Sequence, residues 1–423
     1  MLHIYFCFVS SRWEYLLQSA SLHEAGACIA PDKAKSITIL KVKFYMKAKF
    51  NFFVCAAIVA THWGVTANAQ LGSEGSGVSG AVYTMTNDAS ENSVLVYGRN
   101  SNGLLTFQGP VSTHGRGSGG IGDPLQSQGS LVLSQDGSFL FAANAGSGTI
   151  TTFRVVPSGL AFVAQANSGG EGPLSIAIHG DLLYVLNIET ITGFRIQPSG
   201  SLSPIPSSTR FLATVGGRDL GDSDIAFNPS GSFLAVTERV ANQIVVFPVQ
   251  ADGTAGTPVA NNSNGNTPFA CAFTRTGILI VTESGGAPGG GSAASSYSIA
   301  AGGTLHVISG SVPSGGAGAC WNVVTTDGKF DVLTNAGSSN ETLYLVTDTG
   351  QLSQLNITSA GQGDVGPLDT ALSANGLFLY TLDGTAGLIS EFRIDESSQT
   401  LTLLGTISNG LTGNSGLQGL SAH

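Results

Sequence analysis

Basic side chains are scarce in this sequence, and lysine most of all. Beyond residue 69 it keeps nine Arg and the single Lys329, against 24 acidic residues, for a net charge of −14. Nucleic acid is therefore not an expected partner, because phosphate neutralisation needs clustered Lys and Arg. An anionic membrane surface is disfavoured for the same reason. Cysteine is also sparse: of five, only Cys271 and Cys320 lie beyond residue 69. There is no Cys-x-x-Cys and no Cys/His cluster, so a zinc site has no support. No Gly-x-Ser-x-Gly stands in a strand-to-helix context, and no Gly-Lys-Ser/Thr phosphate loop occurs. Charged residues make up only 10% and apolar residues 42%, mostly in runs of four to six. Helices would want longer stretches of Ala, Leu, Glu and Lys.

Glycine is abundant, with 58 residues, and together with Asn and Ser it punctuates the short apolar runs. That pattern predicts many short strands joined by tight turns. The first 69 residues differ. Met46 is followed by Lys47 and Lys49, an apolar run over Phe50–Ala60 and an Ala67-Asn68-Ala69 cleavage site. These are the parts of a secretory signal peptide. Residues 46–69 are therefore read as a signal and 1–45 as an over-extended start. Residues 70–423 are then the mature, secreted or periplasmic chain. The apolar run is short for a spanning helix, which needs about 20 residues, so the mature protein is not expected in the membrane.

Self-comparison decides the fold. The unit Gly129-Ser-Leu-Val-Leu-Ser-Gln-Asp-Gly-Ser-Phe-Leu-Phe-Ala-Ala-Asn144, followed by Thr149–Val155, recurs at Ser223–Glu238 with Gln243–Val249. It recurs again at Pro367–Asp383 with Leu388–Ile394, and in weaker copies at Gly172–Asn187, Thr267–Glu283 and Gly318–Asn335. The turn glycines Gly137, Gly180, Gly231, Gly277, Gly328 and Gly376 are spaced by 43, 51, 46, 51 and 48 residues. Such spacing fits four-stranded antiparallel propeller blades. A seventh unit is split: Val82–Asn87, Ser93–Tyr97 and Leu104–Phe107 lack a first strand, and Leu417–Ala422 resembles one. The expected fold is an all-β, seven-bladed propeller, its ring closed by a C-terminal strand that completes the first blade. A monomer is expected.

These units resemble the lactonase family of seven-bladed propellers, which contains 6-phosphogluconolactonases and 3-carboxymuconate cyclases. The resemblance rests on Pro229-Ser-Gly-Ser-Phe-Leu234, on the Asn-ended strand Ala142-Ala-Asn144, and on Ile150–Val155 and Ile244–Val249. It implies a small-molecule lactone or carboxylate as substrate and no cofactor. The family's Asn-Glu at a second-strand end is matched by Thr237-Glu238. Its Gly-Pro-Arg-His, just before that blade's first strand, is matched by Gly221-Asp-Ser-Asp224, with Arg218 a few residues upstream.

The repeat register places seven residues at the ends of the seven second strands: Asn87, Asn144, Asn187, Glu238, Glu283, Asn335 and Asp383. All should lie on one face, around the channel mouth. The Asn and Asp members suit turns, because they bond their own backbone; the same residues could also bind substrate. Glu238 and Glu283 suit turns poorly. In adjacent blades they could face each other as an acid/base pair. They could equally bind a ligand or cation, or form a structural ion pair. Opening a lactone needs a base for water and a donor for the leaving alkoxide. Arg218, Arg239 and Arg116 are candidate anion holders, and His114, in the Gly-rich loop 114–123, is a further acid/base candidate. Cys271 and Cys320 fall near the same level of adjacent first strands, as a disulfide or as two buried thiols. The leading expectation is an exported lactonase or cyclase-like enzyme; the alternative is a non-catalytic propeller binding a glycan, peptide or protein.

Overall fold

In the computed structural model, the described residues are 79–212, 221–286, 291–361, 363 and 365–423. The stretches read above as a signal peptide, 46–69, and as an over-extended start, 1–45, lie outside them. Every element is a strand, and the strands form seven antiparallel sheets. Blade 4 shows the pattern: Asp222–Phe227, Phe233–Glu238, Gln243–Pro248 and Val259–Asn262, paired in that order. Blade 1 comprises Gly80–Met85, Ser93–Arg99 and Leu105–Ser112, and Gln418–Ala422 pairs with Gly80–Met85 as its innermost strand. The first strands of successive blades touch one another in a closed circle, from Gln418–Ala422 round to Pro367–Leu372. The expected seven-bladed propeller and its C-terminal closure are both present. Blade 3 departs in one detail. Its outer strand is split into Leu202–Pro204 and Arg210–Phe211, and between them the Ser208 hydroxyl bonds the Gly193 backbone.

The first strand leads into the second through a turn that ends on a left-handed glycine, such as Gly137 at φ 69° or Gly231 at φ 69°. A side chain there would be strained. Asp136 accepts from the Ser134 and Ser138 hydroxyls and from the Ser138 amide, so the turn closes on itself. Five of the seven second strands are buried along their whole length because neighbouring blades cover both faces, as in Phe139–Asn144 and Leu182–Asn187. The core is accordingly a series of layers between blades, for example Phe141, Ile150, Ile176, Val185 and Phe194 between blades 2 and 3. Buried tyrosines in these layers direct their hydroxyls to carbonyls of outer turns, as Tyr184 does to Gly253 at 2.8 Å.

Near the ring end, the first strand bulges against the second in blades 3 to 7. A bulge inserts one residue and re-aims the side chains around it. In blade 4 it lies between Asp222 and Asp224, and it sets Asp222 directly opposite Glu238.

Candidate active site

The second-strand ends fold as the repeat predicts, and all seven ring side chains are fully buried. Most are held by the protein itself. Asn144 accepts from the Thr113 hydroxyl at 2.7 Å and from the Asn92 amide at 3.1 Å, and it donates to Thr149 and Thr151. Asn335 accepts from the Ser314 hydroxyl at 2.7 Å and donates to Asn340 and Thr342. Asn87 lies two residues past its strand and ties Ser118 to the Gly416 carbonyl. Asn187 donates to the Ser168 carbonyl at 3.3 Å. The local cause is a repeated loop signal, Ser/Thr-x-Gly, after the outer strand of the preceding blade. It reads Thr113-His-Gly115, Ser168-Gly-Gly170, Ser263-Asn-Gly265 and Ser314-Gly-Gly316. Each of these glycines packs so closely that a Cβ would collide with Asn144, Asn187, Glu283 or Asn335, in that order. Sequence reading did not single out this signal, although it was there to find.

Glu283 belongs to the same class. Gly265 N–H donates to one of its oxygens at 2.9 Å and the Ser311 hydroxyl to the other at 2.8 Å. Asp383 accepts from the Ser390 hydroxyl at 2.6 Å through one oxygen, while the other has no partner. Burial raises its pKa to about 8.

Glu238 differs from all of these. It is the one ring side chain without a hydrogen bond among the described residues; neither carboxyl oxygen has a partner. Burial, and then the charge of Asp222, raise its pKa to about 8. The carboxyl set opposite Glu238 is thus Asp222, across the strand pair, and not Glu283 of the next blade. Asp222 accepts the Glu189 N–H at 2.8 Å. Sequence reading passed over Asp222 because it starts the first strand, and only the bulge brings it level with Glu238.

Arg239 follows Glu238 and is half-buried. Its Nε donates to the Ser223 hydroxyl at 2.6 Å, and its guanidinium lies 5.5 Å from the centre of the Phe269 ring. Its two terminal nitrogens make no hydrogen bond among the described residues, and its charge offsets a little of the rise that burial gives Asp123. A guanidinium fixed on one edge and stacked on one face presents its remaining edge to a carboxylate or oxyanion.

The channel beneath is crossed by the chain that enters blade 2. Gln128 exchanges two hydrogen bonds with the Asn322 backbone, at 2.9 and 3.0 Å, and its N–H donates to the Ser223 carbonyl. Trp321 Nε1 donates to the Ser127 carbonyl at 2.9 Å, and the Ser127 hydroxyl bonds the Leu174 carbonyl. Residues 127–128 are therefore joined to blades 3, 4 and 6. Two buried aspartates line this level. Asp224 accepts from Ser175, Ile225 and Cys271 and rises to about 7 by burial. Asp369 accepts the Gly419 N–H and rises to about 8, by burial and then the charges of Asp123 and Asp224.

The other candidates lie elsewhere. His114 is exposed and meets Phe162, on the outer strand of blade 2, edge-on at 4.7 Å. Arg116 is exposed, and its backbone joins Gly146 and Ser147. Arg218 lies outside the described residues. Cys271 and Cys320 are both buried, in separate core clusters, and no disulfide joins them. No cluster of three or more His, Cys, Asp or Glu able to hold a metal occurs among the described residues. A surface groove of about 430 Å³ runs along blade 7, lined by Leu388, Leu403, Leu404 and Thr406, on a different blade from Glu238.

Comparison with known proteins agrees with the fold. The family described as lactonase, 7-bladed beta-propeller, matches residues 79–216 and 189–285. No curated protein matches at the sequence level. Among solved structures, a Bacteroides fragilis protein described as a 6-phosphogluconolactonase superposes with a TM-score of 0.63 at 18% identity, covering 82% of this chain and 98% of that one. The periplasmic gluconolactonase of Pseudomonas aeruginosa gives a TM-score of 0.61 at 20% identity, covering 80% of this chain and 98% of its own. At these identities the structures speak for the fold alone. With the family match, the seven closed blades and the matching strand signals together, the chain belongs to the lactonase family of seven-bladed β-propellers.

Proposed function

We propose that this protein is an exported lactonase that hydrolyses a small, sugar-type lactone without a cofactor, using Glu238 for proton transfer and Arg239 as anion holder. The observation that carries this reading is the isolation of Glu238. A fully buried carboxyl with no hydrogen bond costs stability, and such groups concentrate where chemistry is done. With a pKa of about 8, Glu238 is mostly protonated at neutral pH. It is thus suited to donate to a leaving alkoxide. Arg239 supplies what the developing oxyanion needs: a preoriented cation with open donors. Export is inferred from the signal-like stretch 46–69, and the periplasmic location of the Pseudomonas relative is in keeping with it. The substrate is taken to be a small molecule because the matching family is described as lactonase.

The test is hydrolysis by the purified protein, followed with a pH indicator, of sugar, phosphosugar and muconate-type lactones, with Glu238→Gln in parallel. Expected is turnover on at least one lactone and a hundred- to ten-thousand-fold loss in the variant, the usual range for a general acid or base. Equal rates in the two proteins would remove Glu238 from the chemistry. No turnover on any lactone would favour a non-catalytic propeller that binds a glycan, peptide or protein, a reading in line with the replacement of Gly-Pro-Arg-His by Gly221-Asp-Ser-Asp224.

A further inference from the structure

We infer that Asp222 is a second catalytic residue, the ionised member of a two-carboxylate dyad in which Glu238 is the protonated member; the catalytic role rests on the lactonase reading above. The geometry begins with the bulge in blade 4. Asp222 and Glu238 are direct partners in the antiparallel pair, so their side chains leave the sheet on one side. Cβ atoms of such partners stand about 4.5–5.5 Å apart. Both residues are buried, Glu238 fully and Asp222 to within 6%. Two carboxyls at that range and depth do not both ionise.

Their surroundings assign the proton. Asp222 accepts the Glu189 N–H at 2.8 Å, which favours its charged form. Glu238 accepts no hydrogen bond among the described residues, which favours its neutral form. Other titratable groups on the strands packed against Glu238 are Asp224, on the same first strand, and Cys271, on Pro268–Phe273. The oxygens of Asp224 are occupied by Ser175, Ile225 and Cys271. Arg239, next in the chain, is turned to Ser223 and Phe269. Of these groups, Asp222 is the one whose charge raises the pKa of Glu238.

An asymmetric pair of this kind divides acid from base. Asp222 takes a proton from water as the water oxygen bonds to the lactone carbonyl carbon. The ring C–O bond then breaks, and the departing oxygen takes the proton of Glu238. One water is consumed, one hydroxy acid is released, and the proton now on Asp222 returns to Glu238.

The dyad is tested by infrared titration of the protonated-carboxyl band in the purified protein. The Glu238 signal is isolated by subtracting the spectrum of the matching Glu238→Gln protein. Asp222→Asn keeps an acceptor for the Glu189 N–H, and it should move the Glu238 midpoint down by about one pH unit. The reciprocal variant, Glu238→Gln, should leave the midpoint of Asp222 in place, isolated by subtracting the Asp222→Asn/Glu238→Gln spectrum, because Glu238 is still neutral where Asp222 titrates. The alkaline limb of the lactone pH–rate profile should move with the Glu238 midpoint, and Asp222→Asn should lower the rate at least a hundredfold. A Glu238 midpoint unmoved by Asp222→Asn overturns the dyad, whether or not a lactone is turned over. A shifted midpoint in a protein that hydrolyses no lactone upholds the paired carboxyls and overturns their catalytic role together with the lactonase reading. Full activity in Asp222→Asn overturns the role of Asp222 and leaves that reading intact.

Discussion

Glu341 occupies a position that five other blades fill with small or branched apolar residues. It is the residue after the one paired with the ring member of blade 6, Asn335. The equivalents are Ile150, Ile191, Ile244, Ala294 and Ile389, all fully buried. Glu341 is equally buried, and neither of its oxygens has a hydrogen bond among the described residues. Burial and then the charge of Asp383 push its pKa well up. A polar group buried without partners costs about 1–3 kcal/mol. Glu341→Ile, which restores the side chain used by its neighbours, should therefore raise stability by about that amount, measured by urea or thermal unfolding. An unchanged or lower melting point would mean that Glu341 has a partner not yet seen. Glu238 makes a contrasting case. Glu238→Gln should melt no lower than wild type near neutral pH, and higher above its own pKa of about 8, even as activity is lost. A variant that both melts lower and loses activity would point to a structural role.

At the scale of the element, the ring residues show what the sequence made legible and what it did not. The strands and their order follow from apolar runs punctuated by left-handed glycines, so the blades could be read directly. The positions of the ring residues followed as well, because they end strands. Their individual roles depend on loops that arrive from the preceding blade. Asn144 and Glu283 look equally available in one dimension, but Thr113 and Gly115 close over the first, and Gly265 and Ser311 over the second. Asp222 stayed hidden for a different reason: a one-residue bulge shifts the register, and a count along the strand does not include it. The loop glycines give a direct check. A methyl at Gly115 would run into Asn144, whose hydrogen bonds hold the Thr113 loop in place. Gly115→Ala should cost about 1–3 kcal/mol in unfolding free energy, with little change in lactone hydrolysis, since Glu238 is two blades away.

For the whole molecule, the unusual property is how many acids the propeller keeps inside. Burial raises the pKa of Asp224 and Asp331 to about 7, of Glu391 to about 7, and of Asp369 and Asp383 to about 8. In the unfolded chain these groups titrate near 4. Between those limits the folded state holds more protons than the unfolded state, so stability falls as pH rises. The surface carboxylates act in the opposite sense. Asp136, held at about 2 by the Ser134 and Ser138 hydrogen bonds, favours the fold above pH 4 and loses that effect only in stronger acid. The two sets together place the stability maximum on the acid side of neutral, and the melting temperature should drop steadily from about pH 5 to about pH 8.5. Asp369→Asn and Asp383→Asn should each flatten part of that slope, because an amide does not titrate. Calorimetry across this range decides the point. A flat or rising curve would mean that the buried carboxyls share protons or cations more widely than their hydrogen bonds indicate. A falling curve that levels in the Asn variants would tie the pH response to the acids packed around the channel and between the blades.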